Sequence, residues 1–233
     1  MPWINRCRIA MPPVACQDSA SCTRGSCMKV LPETFRPFTE RWNDLTRGAH
    51  TILPCRSDLS PLRFGEFLPH ICVTERIGPM DLPIRYAGSA FERAAGYPLT
   101  GRNYYDLLPE AFKKSVAVFH DYIVNTPCGA FVRDIISTDT GSRYLHETIH
   151  LPLADDAGQV RYVMAYGLGR KDIEDRGIRP LEDQSDSHIK DLFYLDLGAG
   201  APTDYIENFI FHKNGSGKIP VKLTLQHSEK WTS

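Results

Sequence analysis

YLHETIHL, residues 144–151, contains His-Glu-x-x-His. Wound as a helix, it sets His146 and His150 on one face to hold zinc, with Glu147 placed as general base. Drawn out as a strand, it is one member of a sheet. The flanks favour the strand. Turn signals stand on both sides, DTGS at 139–142 and DDAG at 155–158, and Pro152 comes two residues after His150. A helix here would have only about ten residues and would meet the proline. Thr148 and Ile149 are β-branched. In a strand, four steps of ~3.3 Å hold the two histidines ~13 Å apart. One zinc ion, with bonds near ~2.1 Å, cannot take both. Glu147 turns to the opposite face. The segment therefore reads as a strand with polar residues on a partly exposed face, and not as a zinc hydrolase or other metal site.

The neighbouring segments agree. AFVRDIIST precedes it and QVRYVMAYGLG follows, so three strands joined by tight turns make an antiparallel meander. Earlier, ICVTERI and LPIRYAGS flank the turn GPMD and read as a hairpin. Helices lie between. SAFERAAG has Ser89 as cap and Gly96 as stop, NYYDLLP is a short helical turn, and PEAFKKSVAVFHDYIVNTP is the longest helix. Phe112, Val116, Phe119 and Ile123 form one apolar stripe along it. Further upstream, PFTERWNDLTRGA reads as a short helix capped by Thr39, and Ser60-Pro61 opens a helical turn. Two strands, several helices and three strands make an α+β domain, with helices packed on one antiparallel sheet.

Hydrophobic residues make up 42% of the 233 and charged residues 24%, which suits one sizeable core. A formal net charge of -1 gives no basic excess for nucleic acid or an anionic membrane surface. Apolar runs fall far short of the ~20 residues of a membrane span. The expectation is a cytoplasmic protein. Cys7, Cys16, Cys22 and Cys27 crowd the N-terminus without a Cys-x-x-Cys pair, so neither a zinc site nor a disulfide framework is indicated. Residues 1–37 read as a disordered extension, with Met28 as the expected true start. Residues 38–170 form the domain, and 171–233 a C-terminal extension of unassigned structure.

Residues 86–109, YAGSAFERAAGYPLTGRNYYDLLP, carry a resemblance. A strand enters a small helix that ends at glycine; a Leu-Thr-Gly-Arg turn follows, then a short aromatic-acidic helix. This run, with the long helix and meander after it, resembles a PAS domain. PCRSDLSPLRFGEFLPHICV and the LPL…DDAG strand end resemble short stand-alone bacterial PAS proteins typical of alphaproteobacteria. The resemblance implies a five-stranded antiparallel sheet curved around a helical wall, with an apolar cavity between them. It also implies a non-enzymatic sensory, signalling or protein-interaction module. Its partners would be a small-molecule ligand, a signalling protein or a second copy, with a homodimer formed through residues 33–50.

The family binds flavin, haem, small acids or nothing, and the residues bear on the first two. GRNYYDLL resembles the light-sensing flavin signature that begins Gly-Arg-Asn-Cys, but Tyr104 stands where the photochemical cysteine belongs. His120-Asp121-Tyr122-Ile123 is similar to a haem-ligating context, one residue shorter before the tyrosine. His120 flanks the apolar stripe, half in solvent or turned inward. The ligand-binding candidates are His120, Arg102, Tyr104, Phe91 and Phe119. Two rival classes stand beside the sensor. An enzyme would need polar groups that converge in the cavity, such as His120 with Tyr86 or Arg102; a structural dimerisation module would have a filled core. Neither Gly-x-Ser-x-Gly nor a P-loop is present.

Overall fold

A computed structural model of the protein describes residues 30–108, 110–137, 143–170, 188–202, 205–207, 210–212 and 221–222. Helix α1 (Arg36–Asn43) and the single turn α2 (Pro61–Phe64) lead to strands β1 (Ile71–Glu75) and β2 (Ile84–Ala87), which pair as the expected hairpin. Helices α3 (Ser89–Ala95) and α4 (Glu110–Asn125) follow, with a 3-10 turn at Tyr104–Leu107 between them. The meander is β3 (Gly129–Ser137), β4 (Arg143–Ala154) and β5 (Val160–Arg170). Strand β6 (His188–Asp196) comes from the C-terminal segment. The sheet runs β2-β1-β5-β4-β3-β6 with every neighbour antiparallel. Beyond it, β7 (Tyr205–Glu207) pairs with β8 (Ile210–His212), and β9 (Val221–Lys222) lies parallel to β6.

The α+β class and the PAS-like five-stranded order are as the sequence implies. The structure adds a sixth antiparallel strand, because β6 pairs along most of β3 from Gly129↔Leu195 to Ile135↔His188. It also places helices on both faces of the sheet rather than one. The cause is visible in β4. Glu147, Ile149, Leu151 and Leu153 point one way, and His146, Thr148 and His150 the other. Ile149, Leu151 and Leu153 are fully buried on the first face. Phe35, Phe38 and Trp42 of the N-terminal helical segment cover it, together with Phe64 and Phe67. Phe38 stacks on Tyr166 of β5, ring centroids 4.2 Å apart. Burying each such ring contributes about 1.5–3 kcal/mol.

Helical structure therefore starts at Glu33, ahead of the boundary at residue 38. Residues 1–29, with their cysteines and Met28, lie outside the described residues, as does the DTGS turn. Thr39 does not cap α1. It sits within the helix, and its hydroxyl donates to the Arg36 carbonyl at 2.9 Å. Ser89 is the first residue of α3 rather than its cap, while Gly96 ends the helix at φ 78° as expected. In the DDAG turn, one Asp155 carboxylate oxygen accepts from the backbone N–H of Ala157 and Gln159. Among the described residues, no helix is long and apolar enough to cross a membrane.

Candidate functional site

The second face of β4 is turned toward helices α3 and α4, with His146 against Phe91 and His150 against Phe119. Between it and helices α3 and α4 lies a cavity of about 280 Å³. Ile84, Phe91, Leu99, Val116, Phe119 and Val132 give it apolar walls. Into these walls project Cys72 and Thr74 from β1, Tyr104 from the 3-10 turn, His120 from α4, Asp134 from β3, and His146, Thr148 and His150 from β4. The period of a strand supplies the last three at every second residue.

His120 turns inward and is only 4% exposed. Its ring is enclosed by those of Phe119, Tyr104, Tyr105 and His150, at centroid distances of 5.3, 5.4, 5.9 and 6.4 Å. Nδ1 lies 3.3 Å from the Tyr105 hydroxyl. Burial, reinforced by His150 and Arg76, pushes its pKa down to about 3, against a backbone hydrogen bond at Val116. Nε2 of His150 lies 3.1 Å from the Thr148 hydroxyl, and Nδ1 is buried with no hydrogen-bond partner. Burial, with His146, holds that imidazole's pKa at about 3 as well. Burial raises the Tyr104 hydroxyl, helped by Cys72, Asp134 and Tyr105, and pushes the Cys72 thiol up to about 12. At neutral pH these four groups are uncharged.

Four of the five candidates, His120, Tyr104, Phe91 and Phe119, line the cavity. Arg102 does not. The turn carries its exposed side chain outward, where the guanidinium sits 4.8 Å over the Tyr97 ring and Nε donates to the Pro98 carbonyl at 2.8 Å. Only its backbone is drawn into the fold, its carbonyl accepting from Ile84 N–H at 2.9 Å. Tyr86 donates its hydroxyl to the Leu68 carbonyl at 3.0 Å and is not part of the lining. His120 therefore does not converge with Tyr86 or Arg102, and the polar groups that it meets in the cavity are others. His146 and His150 are an addition: the face taken as partly exposed, on which His146 keeps 19% of its side chain exposed, also looks into the cavity. Cys72, Asp134 and Thr148 join them as lining residues that sequence reasoning missed. The available signal was the run His146-x-Thr148-x-His150, polar at every second position and backed by an apolar alternate face.

The His-Glu-x-x-His letters divide as a strand requires. Glu147 lies on the outer face, 4% exposed, paired with Arg133 at 2.7 Å. Among the described residues, no group of three or more His, Cys, Asp or Glu side chains is placed to hold a metal ion. Neither haem nor flavin nucleotide fits the residues present. Four rings already crowd the His120 imidazole, where a porphyrin would have to lie. Among the lining residues there is no Lys or Arg to meet a propionate or a phosphate.

A family model described as "PAS domain" matches residues 30–166. No curated protein matches the sequence. Among solved structures, the photo-excited form of the fungal blue-light photoreceptor Vivid is similar at 21% identity and a TM-score of 0.34, covering 42% of this chain and 76% of that one. The Vibrio cholera VqmA–ligand–DNA complex is similar at 18% identity and a TM-score of 0.36, covering 48% of this chain and 51% of that one. VqmA bound to DPO is similar at 20% identity and a TM-score of 0.37, covering 47% and 56%. The chain thus spans about half the length of VqmA.

Proposed function

The chain belongs to the PAS domain family, and on that footing we propose that it is a non-enzymatic sensory or protein-interaction module that binds a small molecule between sheet and helices. One observation carries the reading: an apolar cavity of about 280 Å³ into which several polar side chains converge. Such a combination of apolar wall and few directed polar groups is what ligand pockets have in common. It also speaks against a dimerisation module with a filled core.

A ligand there touches elements that reach the surface. Phe119 and His120 belong to α4, whose Asp121 is ion-paired with Arg76 just past β1. His146 and His150 belong to β4, whose other face carries the N-terminal helical layer. A ligand that prefers one arrangement of α4 against the sheet shifts the protein toward it by its differential affinity. A signalling partner would read the change at these surfaces. A homodimer through residues 33–50 would have to use the polar side of α1, because Phe35, Phe38 and Trp42 are fully buried within the chain.

The test is an NMR fragment screen of the full chain with methyl and imidazole resonances assigned. Fragments of the cavity's size should shift Val132, Val163, His120 and His150 together. Absence of any such fragment, with native mass spectra showing only the bare chain, would overturn the reading.

A further inference from the structure

The charge of the cavity is one-sided. Asp134 brings a carboxylate, and among the described residues that line it no Lys or Arg answers. Arg76, whose charge reaches His120, is committed to Asp121 and is not part of the lining. Oδ1 of Asp134 is buried and accepts no hydrogen bond. Nδ1 of His146, its cross-strand neighbour, lies 3.3 Å from it but out of line for one. Nδ1 of His150 is buried and unpartnered too. A buried polar atom left without a partner is costly, and a carboxylate oxygen more so than a neutral one. An anion in this cavity would face Asp134 with no Lys or Arg in the lining to oppose it, whereas an N–H donor would complete the unpaired oxygen.

We propose that the ligand is a small organic cation, an amine, amidine or protonated nitrogen heterocycle, whose N–H groups dock on Asp134 while its apolar body lies along Phe91, Phe119 and Val132. This rests on the cavity being a ligand site. It makes Asp134 the residue that chooses ligand charge.

Three flat probes of nearly equal shape separate the two levels: benzamidine (cationic), benzamide (neutral) and benzoate (anionic). Each is titrated into the full chain by NMR, with Val132, Val163 and His150 as reporters. Benzamidine should bind at least about tenfold more tightly than benzoate. Asp134→Asn should bring the two to within about twofold. Equal or tighter binding of benzoate to the wild-type chain overturns the ligand class and leaves the cavity reading standing. A benzamidine preference that survives Asp134→Asn overturns the role given to Asp134. If none of the three probes moves the reporters, the cavity reading falls and this proposal with it. The wild-type comparison of benzamidine with benzoate decides the charge preference even where the variant is unstable.

Discussion

The Tyr105 hydroxyl lies 3.3 Å from Nδ1 of His120, joining the turn before α4 to α4 itself inside the cavity wall. The contact helps to keep a neutral imidazole where an imidazolium would be stranded. His120 and His150 both have pKa values near 3 in the folded protein, lowered chiefly by burial from an ordinary 6.5. Between those values the unfolded chain binds protons that the folded chain refuses. Stability therefore falls as pH drops below about 6.5 and keeps falling toward about 3. Each histidine contributes a slope of up to about 1.4 kcal/mol per pH unit. Urea denaturation at pH 7.0 and 5.5 should show a smaller pH loss for His120→Gln and for His150→Gln than for wild type. Equal losses in all three proteins would rule the account out. Tyr105→Phe should cost about 1 kcal/mol at pH 7.

Much of this arrangement was legible in the sequence, and the limits have a physical cause. The stripe on α4 announced Phe119 and Ile123 as inward-facing, and His120 beside them turned in with them. The meander followed from β-branched runs and turn chemistry. Period two correctly separated Glu147 from His146 and His150, but it says only that two residues share a face. It does not say whether that face meets bulk water or a polar-lined cavity, since both accept the same residue types. Here the apolar alternate face was consumed by Phe35, Phe38 and Trp42, leaving the polar face to the interior. Arg102 failed for a related reason. The turn motif located its backbone, while the direction of a long side chain was settled by Tyr97 outside.

Gly167 offers a test of how closely the wall is built. An added Cβ would lie 2.8 Å from His146 Nε2 and 3.0 Å from the Phe91 ring. The side chains must shift, or the strand must. Gly167→Ala should cost about 1–3 kcal/mol, with about 2–4 °C of melting temperature lost per kcal/mol in a chain of this size. Gly169, two residues on along the same strand, has nothing within 4 Å of such a Cβ. Gly169→Ala should be neutral or slightly stabilising. Thermal melts of the two variants settle the matter, and an equal loss for both would contradict the packing at Gly167.

The outer helical layer should be as expensive to damage as any core. Phe38 stacks on Tyr166 and makes edge contacts with Phe64 and Phe67, and Trp42 is fully buried. Phe38→Ala and Trp42→Ala should each lose about 3–5 kcal/mol, because the surrounding rings cannot collapse into the space left. Glu40 lies on the exposed side of the same helix, 3.9 Å from Arg36. Glu40→Ala should stay within about 0.5 kcal/mol. Denaturant midpoints compared at constant m-value measure both. A mild effect at Phe38 and Trp42 would mean that the layer is only loosely attached.

Glu147 decides between the two lives of the His-Glu-x-x-His letters. In a zinc hydrolase it would be the base, and Glu147→Gln would abolish turnover while leaving the fold and the metal in place. Here it is a nearly buried carboxylate whose Oε1 meets Arg133 at 2.7 Å, on the face away from both histidines. Glu147→Gln should leave the half-buried guanidinium with a weaker, uncharged acceptor and cost about 1–3 kcal/mol of stability. Added zinc should leave the melting temperature of wild type and variant unchanged, since His146 and His150 stand too far apart along one strand for one ion to bridge. A zinc-dependent rise in melting temperature that disappears in both His146→Ala and His150→Ala would overturn the strand geometry. The stability loss at Glu147 without any zinc response is the outcome that the strand requires.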